Sequence, residues 1–180
     1  FHTVPPGSTY VAGWSSMNRH HLFYEDLDGD GTREVVSEIN GTWNRVTVWR
    51  SDGRALHDAS FGPGDRIPAR TMRDLDVADL DGDGKKEILA ATASGWLVAL
   101  DARAKPVWSR RLSSPAEVLA CVGARITVGC EDGTVEVRDG GGDLLRTGRV
   151  AGRPSSIQAL DDAVVLGTER GEVAVFASGE

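Results

Sequence analysis

Asp26-Leu27-Asp28-Gly29-Asp30-Gly31-Thr32-Arg33-Glu34 returns as Asp79-Leu80-Asp81-Gly82-Asp83-Gly84-Lys85-Lys86-Glu87, and a short apolar run, Val35-Val36 or Ile88-Leu89, follows each copy. Working outward from this pair, a second repeat appears in Ser94-Gly95-Trp96-Leu97-Val98, Asp132-Gly133-Thr134-Val135-Glu136-Val137 and Arg170-Gly171-Glu172-Val173-Ala174-Val175. Its glycines, Gly95, Gly133 and Gly171, are evenly spaced by 38 residues. Recurrence at a fixed period of this size marks a repeat architecture.

The segments between turns are short, rich in β-branched residues and alternately apolar and polar, as in Val135-Glu136-Val137. This is the period of a strand, and no stretch sustains the 3.6-residue period of a helix. Asp52-Gly53, Ser94-Gly95 and Asp132-Gly133 have the composition of hairpin turns. Sorted by place in the repeat, the predicted strands form four sets. The first comprises Ser8–Ser15, Ala55–Ser60, Pro106–Arg111 and Leu144–Val150. The second comprises His20–Tyr24, Met72–Val77, Ala116–Cys121 and Ser156–Ala159. The third is Glu34–Ile39, Glu87–Ala91, Arg125–Cys130 and Ala163–Thr168, and the fourth Arg45–Arg50, Trp96–Leu100, Thr134–Arg138 and Glu172–Ala177.

The expected fold is therefore all-β, a β-propeller of four four-stranded blades. Its units are roughly 17–61, 72–112, 113–150 and 151–180, the last completed by the N-terminal strand 8–15. The whole chain, 1–180, is one propeller domain. Three assemblies satisfy this phase: a closed four-blade ring, two chains exchanging terminal strands as a homodimer with eight blades, and a piece of a larger propeller. The chain opens at Phe1 without Met and stops at Ala177-Ser178-Gly179-Glu180, as a processed product or excised domain would.

Alternating carboxylates separated by glycine converge on one cation only if the chain turns tightly between them, and glycine permits that turn. Six to eight oxygens suit Ca2+ best. An EF-hand needs an acid at the twelfth position, where this chain has Ser37 and Ala90, and a helix after the loop, where this chain has a strand. The 180 residues carry 20 Lys plus Arg against 27 Asp plus Glu, a net charge of −7, which argues against nucleic acid or an anionic membrane surface as partner. Discounting the eight acidic residues of the two loops turns −7 into +1, so the acidity is local to them. No apolar run has the length of a membrane span.

These loops resemble the calcium loops of FG-GAP and VCBS repeats, the integrin-α-like propeller blades. The resemblance implies two Ca2+ per chain. Position by position, it assigns one ion to Asp26, Asp28, Asp30, the Thr32 carbonyl and Glu34, and the other to Asp79, Asp81, Asp83, the Lys85 carbonyl and Glu87. The Phe-Gly and Gly-Ala-Pro pieces that name the integrin repeat are missing from both copies, so integrin-type function is not implied. Val122-Gly123-Ala124-Arg125 and Leu160-Asp161-Asp162-Ala163 stand where units three and four would carry such a loop. These units are similar to pyrroloquinoline-quinone-like repeats of the Ala-Leu-Asp-…-Trp kind, a pattern to which Ala99-Leu100-Asp101 and Trp108 at the end of unit two come close, with no quinone implied. Propeller calcium loops of this kind imply a secreted, extracellular or periplasmic setting.

Adjacent His20 and His21 point to opposite faces of a strand and do not chelate one ion. Cys121 and Cys130 are expected as free thiols, because residue 130 should face 117 or 118. No nucleophile elbow or phosphate loop is present, so no catalytic residue is assigned. If the acidic loops occupy one face, the opposite face collects Trp43, Asn44, Arg66 and Arg70, of which the Trp and the Arg residues are of hot-spot type. The expected function is a non-catalytic, calcium-stabilised binding or adhesion module for protein or glycan. A polysaccharide-lyase-like propeller enzyme with structural calcium is the alternative.

Overall fold

The computed structural model describes residues 21–39, 44–61 and 71–177. Among the described residues, fifteen strands form four antiparallel meanders, each corresponding to one sequence unit. Blade 1 contains β1 (Leu22–Glu25), β2 (Glu34–Ile39), β3 (Arg45–Arg50) and β4 (Ala55–Ser60). Blade 2 contains β5 (Met72–Ala78), β6 (Glu87–Thr92), β7 (Trp96–Leu100) and β8 (Pro106–Arg111). Blade 3 contains β9 (Ala116–Val122), β10 (Arg125–Cys130), β11 (Thr134–Arg138) and β12 (Leu144–Arg149). Blade 4 has three strands among the described residues: β13 (Pro154–Ala159), β14 (Ala163–Thr168) and β15 (Val173–Ala177). The fold is a β-propeller. The N-terminal strand expected to complete the last blade, Ser8–Ser15, lies outside the described residues.

The 38-residue period has a backbone cause. Gly95, Gly133 and Gly171 sit at φ 76°, 84° and 79°, a region that β-carbon-bearing residues avoid. Each closes the turn between the second and third strands by donating its amide to the carbonyl of Thr92, Cys130 or Thr168. Between the turns, alternation buries one residue set toward the preceding blade and the other toward the following blade.

Three core clusters lie between consecutive blades. Val36, Val46 and Val48 join Leu75, Ile88 and Leu100 between blades 1 and 2. Leu89, Leu97 and Ala99 join Leu119, Ile126 and Val128 between blades 2 and 3. Val118, Val135 and Val150 join Leu166 between blades 3 and 4, with Ile157, Ala174 and Phe176 packed against them. Each aliphatic side chain fully withdrawn from water contributes about 1.5–3 kcal/mol, so the sheets are held as a stack by these seams. The seams are close: a β-carbon at Gly129 would lie 2.7 Å from Val118 Cγ2 and 3.0 Å from the Pro154 ring of the next blade.

Polar ties follow the same seams. The Lys86 amide donates to the Leu27 carbonyl at 2.8 Å, and Trp108 Nε1 donates to the Gly140 carbonyl at 3.1 Å. Within blade 3, Arg138 Nε donates to Glu136 Oε2 at 2.8 Å, and Arg138 Nη2 reaches the Arg111 carbonyl of blade 2. Glu136 and Arg138 are both buried. Burial alone would raise the Glu136 pKa, but hydrogen bonds from Ser113 and the Arg138 charge outweigh it and hold the carboxyl below its usual range.

Cys121 and Cys130 are free thiols. Cys130 faces Ala116 rather than 117 or 118, because a register shift between Gly129 and Cys130 offsets the pairing.

Candidate metal centre

The two acidic loops join the first and second strands of blades 1 and 2 and have the same internal hydrogen bonding. Asp26 accepts the Gly29 amide on Oδ1 at 2.8 Å and the Gly31 amide on Oδ2 at 2.9 Å. Asp79 accepts Gly82 and Gly84 in the same way, at 2.7 and 3.0 Å. The Leu27 amide donates to Glu34 Oε2 at 3.2 Å, and the Leu80 amide to Glu87 Oε2 at 3.0 Å. The loop therefore curls around its first aspartate, and the acid opening the following strand turns back over the curl.

One oxygen from each of Asp26, Asp28 and Glu34 lies within 4.8 Å of the others, and Asp79, Asp81 and Glu87 repeat the arrangement. Oxygens across a Ca2+ ion at 2.3–2.6 Å are separated by about 5 Å, so both triads match one hard cation. Burial pushes Glu34 upward, the Leu27 amide opposes this, and the charges of Asp28, Asp30 and Asp26 push it further up. Glu87 is raised in the same way by burial and by Asp81, Asp83 and Asp79, against the Leu80 amide. A dication relieves this repulsion. The donor chemistry fits a hard cation.

The structure gathers three of the four expected carboxylates in each loop. Asp30 and Asp83 stand outside the triads, with Oδ1 accepting the Thr32 amide at 2.6 Å and the Lys85 amide at 2.8 Å. Lys85 Nζ lies 3.8 Å from Asp83 Oδ2. The loops are neighbours: a β-carbon at Gly29 would lie 3.5 Å from the Gly84 carbonyl, and Lys86 Nζ donates to Glu25 Oε2 at 2.8 Å.

The expected partner face fares differently. Trp43, Arg66 and Arg70 lie outside the described residues. Asn44 is buried: its Oδ1 accepts the Thr71 amide at 2.7 Å and its carbonyl accepts the Phe61 amide at 2.9 Å. The expectation that Asn44 meets a partner is thus corrected. It pins both ends of the connection between blades 1 and 2 and takes φ 35° to do so.

A polar cluster that sequence reasoning missed lies where the inner strands β1, β5, β9 and β13 approach one another. They border a cavity of about 520 Å³ whose lining includes His21, Asp74, Asp76, Glu117 and Gln158. His21 bridges two blades, with Nε2 2.8 Å from Asp74 Oδ1 and Nδ1 3.4 Å from Glu38 Oε1. Burial lowers the His21 pKa, but hydrogen bonds and charge from Asp74 and Glu38 outweigh it and raise it to about 9. Asp74 and Asp76 also accept the Leu119 and Cys121 amides of blade 3, at 2.6 and 2.7 Å. The only signal in the sequence was a pair of carboxylates spaced to share one face of a strand.

Residues 26–90 match the model of the FG-GAP-like repeat, and residues 66–126 match that of the lambda-carrageenase β-propeller domain. No curated protein matches the chain significantly. Among solved structures, BamB from Moraxella catarrhalis is similar at 13% identity and TM-score 0.63, covering 86% of this chain and 42% of its own. BBS1N, determined in complex with ARL6DN, is similar at 14% identity and TM-score 0.69, covering 97% of this chain and 53% of its own. The computationally designed Ika4 protein is similar at 22% identity and TM-score 0.63, covering 86% of this chain and 96% of its own. The chain spans about half the length of the BamB and BBS1N chains it matches.

Proposed function

We propose that this chain is a non-catalytic binding module whose first two blades are stapled by two Ca2+ ions, and whose face opposite the acidic loops takes a protein or glycan ligand outside the cell or in the periplasm. The observation that carries the reading is the duplicated loop: two carboxylate triads of one geometry, on a repeat of FG-GAP-like type. Bound Ca2+ supplies charge neutralisation; Asp26 and Asp79 shape the loops, and the flanking carboxylates complete each donor set. The described residues contain no helix long and apolar enough to cross a membrane.

The match over 66–126 to the propeller domain of a carrageenase supports the glycan side and keeps a polysaccharide-acting enzyme as the second reading. One experiment serves both. The chain with Ca2+ is applied to a glycan array enriched in acidic polysaccharides, and the bound glycans are then assayed for new reducing or unsaturated ends. Binding without cleavage is expected, and Trp43→Ala with Arg66→Ala should abolish it while leaving the thermal melt unchanged. New chain ends would favour the enzyme. Undiminished binding by the double variant would move the ligand to another face.

A further inference from the structure

The outer ends of the seams can be compared position by position, because the third and fourth strands of blades 1, 2 and 3 share one register. A shift in pairing follows Val48–His57 in blade 1, Ala99–Trp108 in blade 2 and Val137–Arg146 in blade 3. Directly paired residues lie on the same side of a sheet. His57 and Trp108 therefore hold the same place, and both face the following blade with Val48 and Ala99. Two residues on, Ala59 stands where blade 2 has Arg110. The turns they face also correspond. The Asp101 carbonyl accepts the Ala104 amide at 2.8 Å, and the Asp101 amide donates to the Lys105 carbonyl at 2.9 Å. Asp139, Gly142 and Asp143 repeat this at 2.9 and 3.0 Å.

Between blades 2 and 3 this corner is filled and its charges are matched. Trp108 lies against the turn, where a β-carbon at Gly142 would come within 2.8 Å of its Cζ3. Its Nε1 donates to the Gly140 carbonyl, while Arg110 covers its ring and pairs with Asp143 at 3.3 Å. Between blades 1 and 2 the same corner is open and cationic. With His57 and Ala59 in place of the Trp and the Arg, a groove of about 530 Å³ remains, lined also by the buried Phe61 and Ala104 and by Pro106. Lys105 replaces Asp143, and Arg103 stands in the middle of the turn, where blade 3 has Gly141. His57, Arg103 and Lys105 are exposed, and among the described residues their side chains form no ion pair or hydrogen bond. The one acid in the lining, Asp58, is turned away. It pairs with Thr47, which points away from blade 2, and its carboxylate lies 3.4 Å from Arg45 Nη1.

We propose that this groove binds an acidic peptide segment of a partner protein, laid in extended conformation along β4. The cations on its rim have no acid of this chain to meet, so carboxylates of a ligand complete them. Phe61, Ala104 and Pro106 give an apolar side chain of the same ligand a place out of water. β4 is the outermost strand of its sheet, and among the described residues no strand pairs with its free edge, so its main chain is open to an extended peptide as well. A sugar ring is less well served, because the lining holds no exposed Trp, Tyr or Phe. The groove uses neither a loop carboxylate nor Trp43 or Arg66, so it stands whatever binds at those places.

A synthetic peptide array graded in net charge, probed with the intact chain in Ca2+, tests this, and the tightest binders are then titrated by fluorescence anisotropy. Peptides with acids on both sides of an aliphatic residue should bind, and their glutamine analogues should not. His57→Trp rebuilds the filled corner of the next seam and should abolish binding, with the thermal melt undiminished because His57 is exposed. Arg103→Glu with Lys105→Glu, on the exposed turn, should weaken binding at least about 10-fold, and reads the same groove if His57→Trp fails to fold. No preference for acidic peptides, or undiminished binding by either folded variant, would overturn the proposal. So would tighter binding of a sulfated oligosaccharide that His57→Trp also removes, since the groove would then be a glycan site.

Discussion

Blades 1 and 2 pass from first to second strand through an acidic loop, whereas blade 3 makes the same step through Gly123-Ala124 and blade 4 through Leu160-Asp161-Asp162. The strands on either side pair alike in all four blades. The loop is therefore an addition to the blade and not a condition of it. The halves also differ in how acid is neutralised. Glu34 and Glu87 are raised by burial and by neighbouring carboxylates, a repulsion that the proposed Ca2+ would relieve. Glu136 in blade 3 is neutralised by the chain's own Arg138. On the proposed reading, the first half couples its stability to an external ion, whereas blade 3 balances its buried acid with a base of its own.

The largest effect should come from breaking this coupling. At a thousandfold excess over its dissociation constant, each bound ion adds about 4 kcal/mol to stability. Asp28→Ala combined with Asp81→Ala should remove the calcium-dependent rise in melting temperature while changing the melt little in chelator. Hydrogen exchange should sharpen the result: chelation should raise exchange in 26–34 and 79–87 and leave the turn at Gly123-Ala124 unchanged. A uniform rise across all blades would show that the two halves are not separate.

The converse break is Arg138→Met, which leaves Glu136 buried and unpaired. A loss of about 3–5 kcal/mol is expected, from removal of one partner of a buried pair. Urea unfolding with and without Ca2+ reads it, and the loss should be the same in both. A loss that Ca2+ partly restores would mean that blade 3 also feels the loops.

Most of the fold was legible because a propeller writes each seam several times: the even spacing of Gly95, Gly133 and Gly171 and the alternation of Val135-Glu136-Val137 are local facts. The loops were legible for the same reason, since Asp26 and its glycines make their hydrogen bonds within a few residues. What escaped depends on distant neighbours. Asn44 became a clasp because Thr71 returns to it. Asp30 and Asp83 stand outside the triads, a matter of loop geometry that the alternating spacing does not reveal. Val175 reads as a core residue in sequence, and only the lack of a following blade among the described residues exposes it.

His21 is the sharpest case, because neither of its acidic partners is near it in sequence, and it sets the smallest effect. Its ring joins Asp74 of blade 2 to Glu38 of blade 1, so its charge holds together the two blades that carry the loops. A histidine raised from 6.5 to about 9 on folding binds its proton more tightly in the native state. The stability it contributes is complete below the unfolded value and is lost as pH climbs through about 9. Discounted for the partly solvated ring, that contribution is about 1–2 kcal/mol. Urea midpoints taken from pH 6 to 10 should fall across this window in the parent and stay flatter in His21→Gln, which keeps hydrogen bonding without the titration. If the two profiles coincide, the bridge between blades 1 and 2 is carried by the apolar seam alone, and the ion pair contributes nothing to the contrast between the halves.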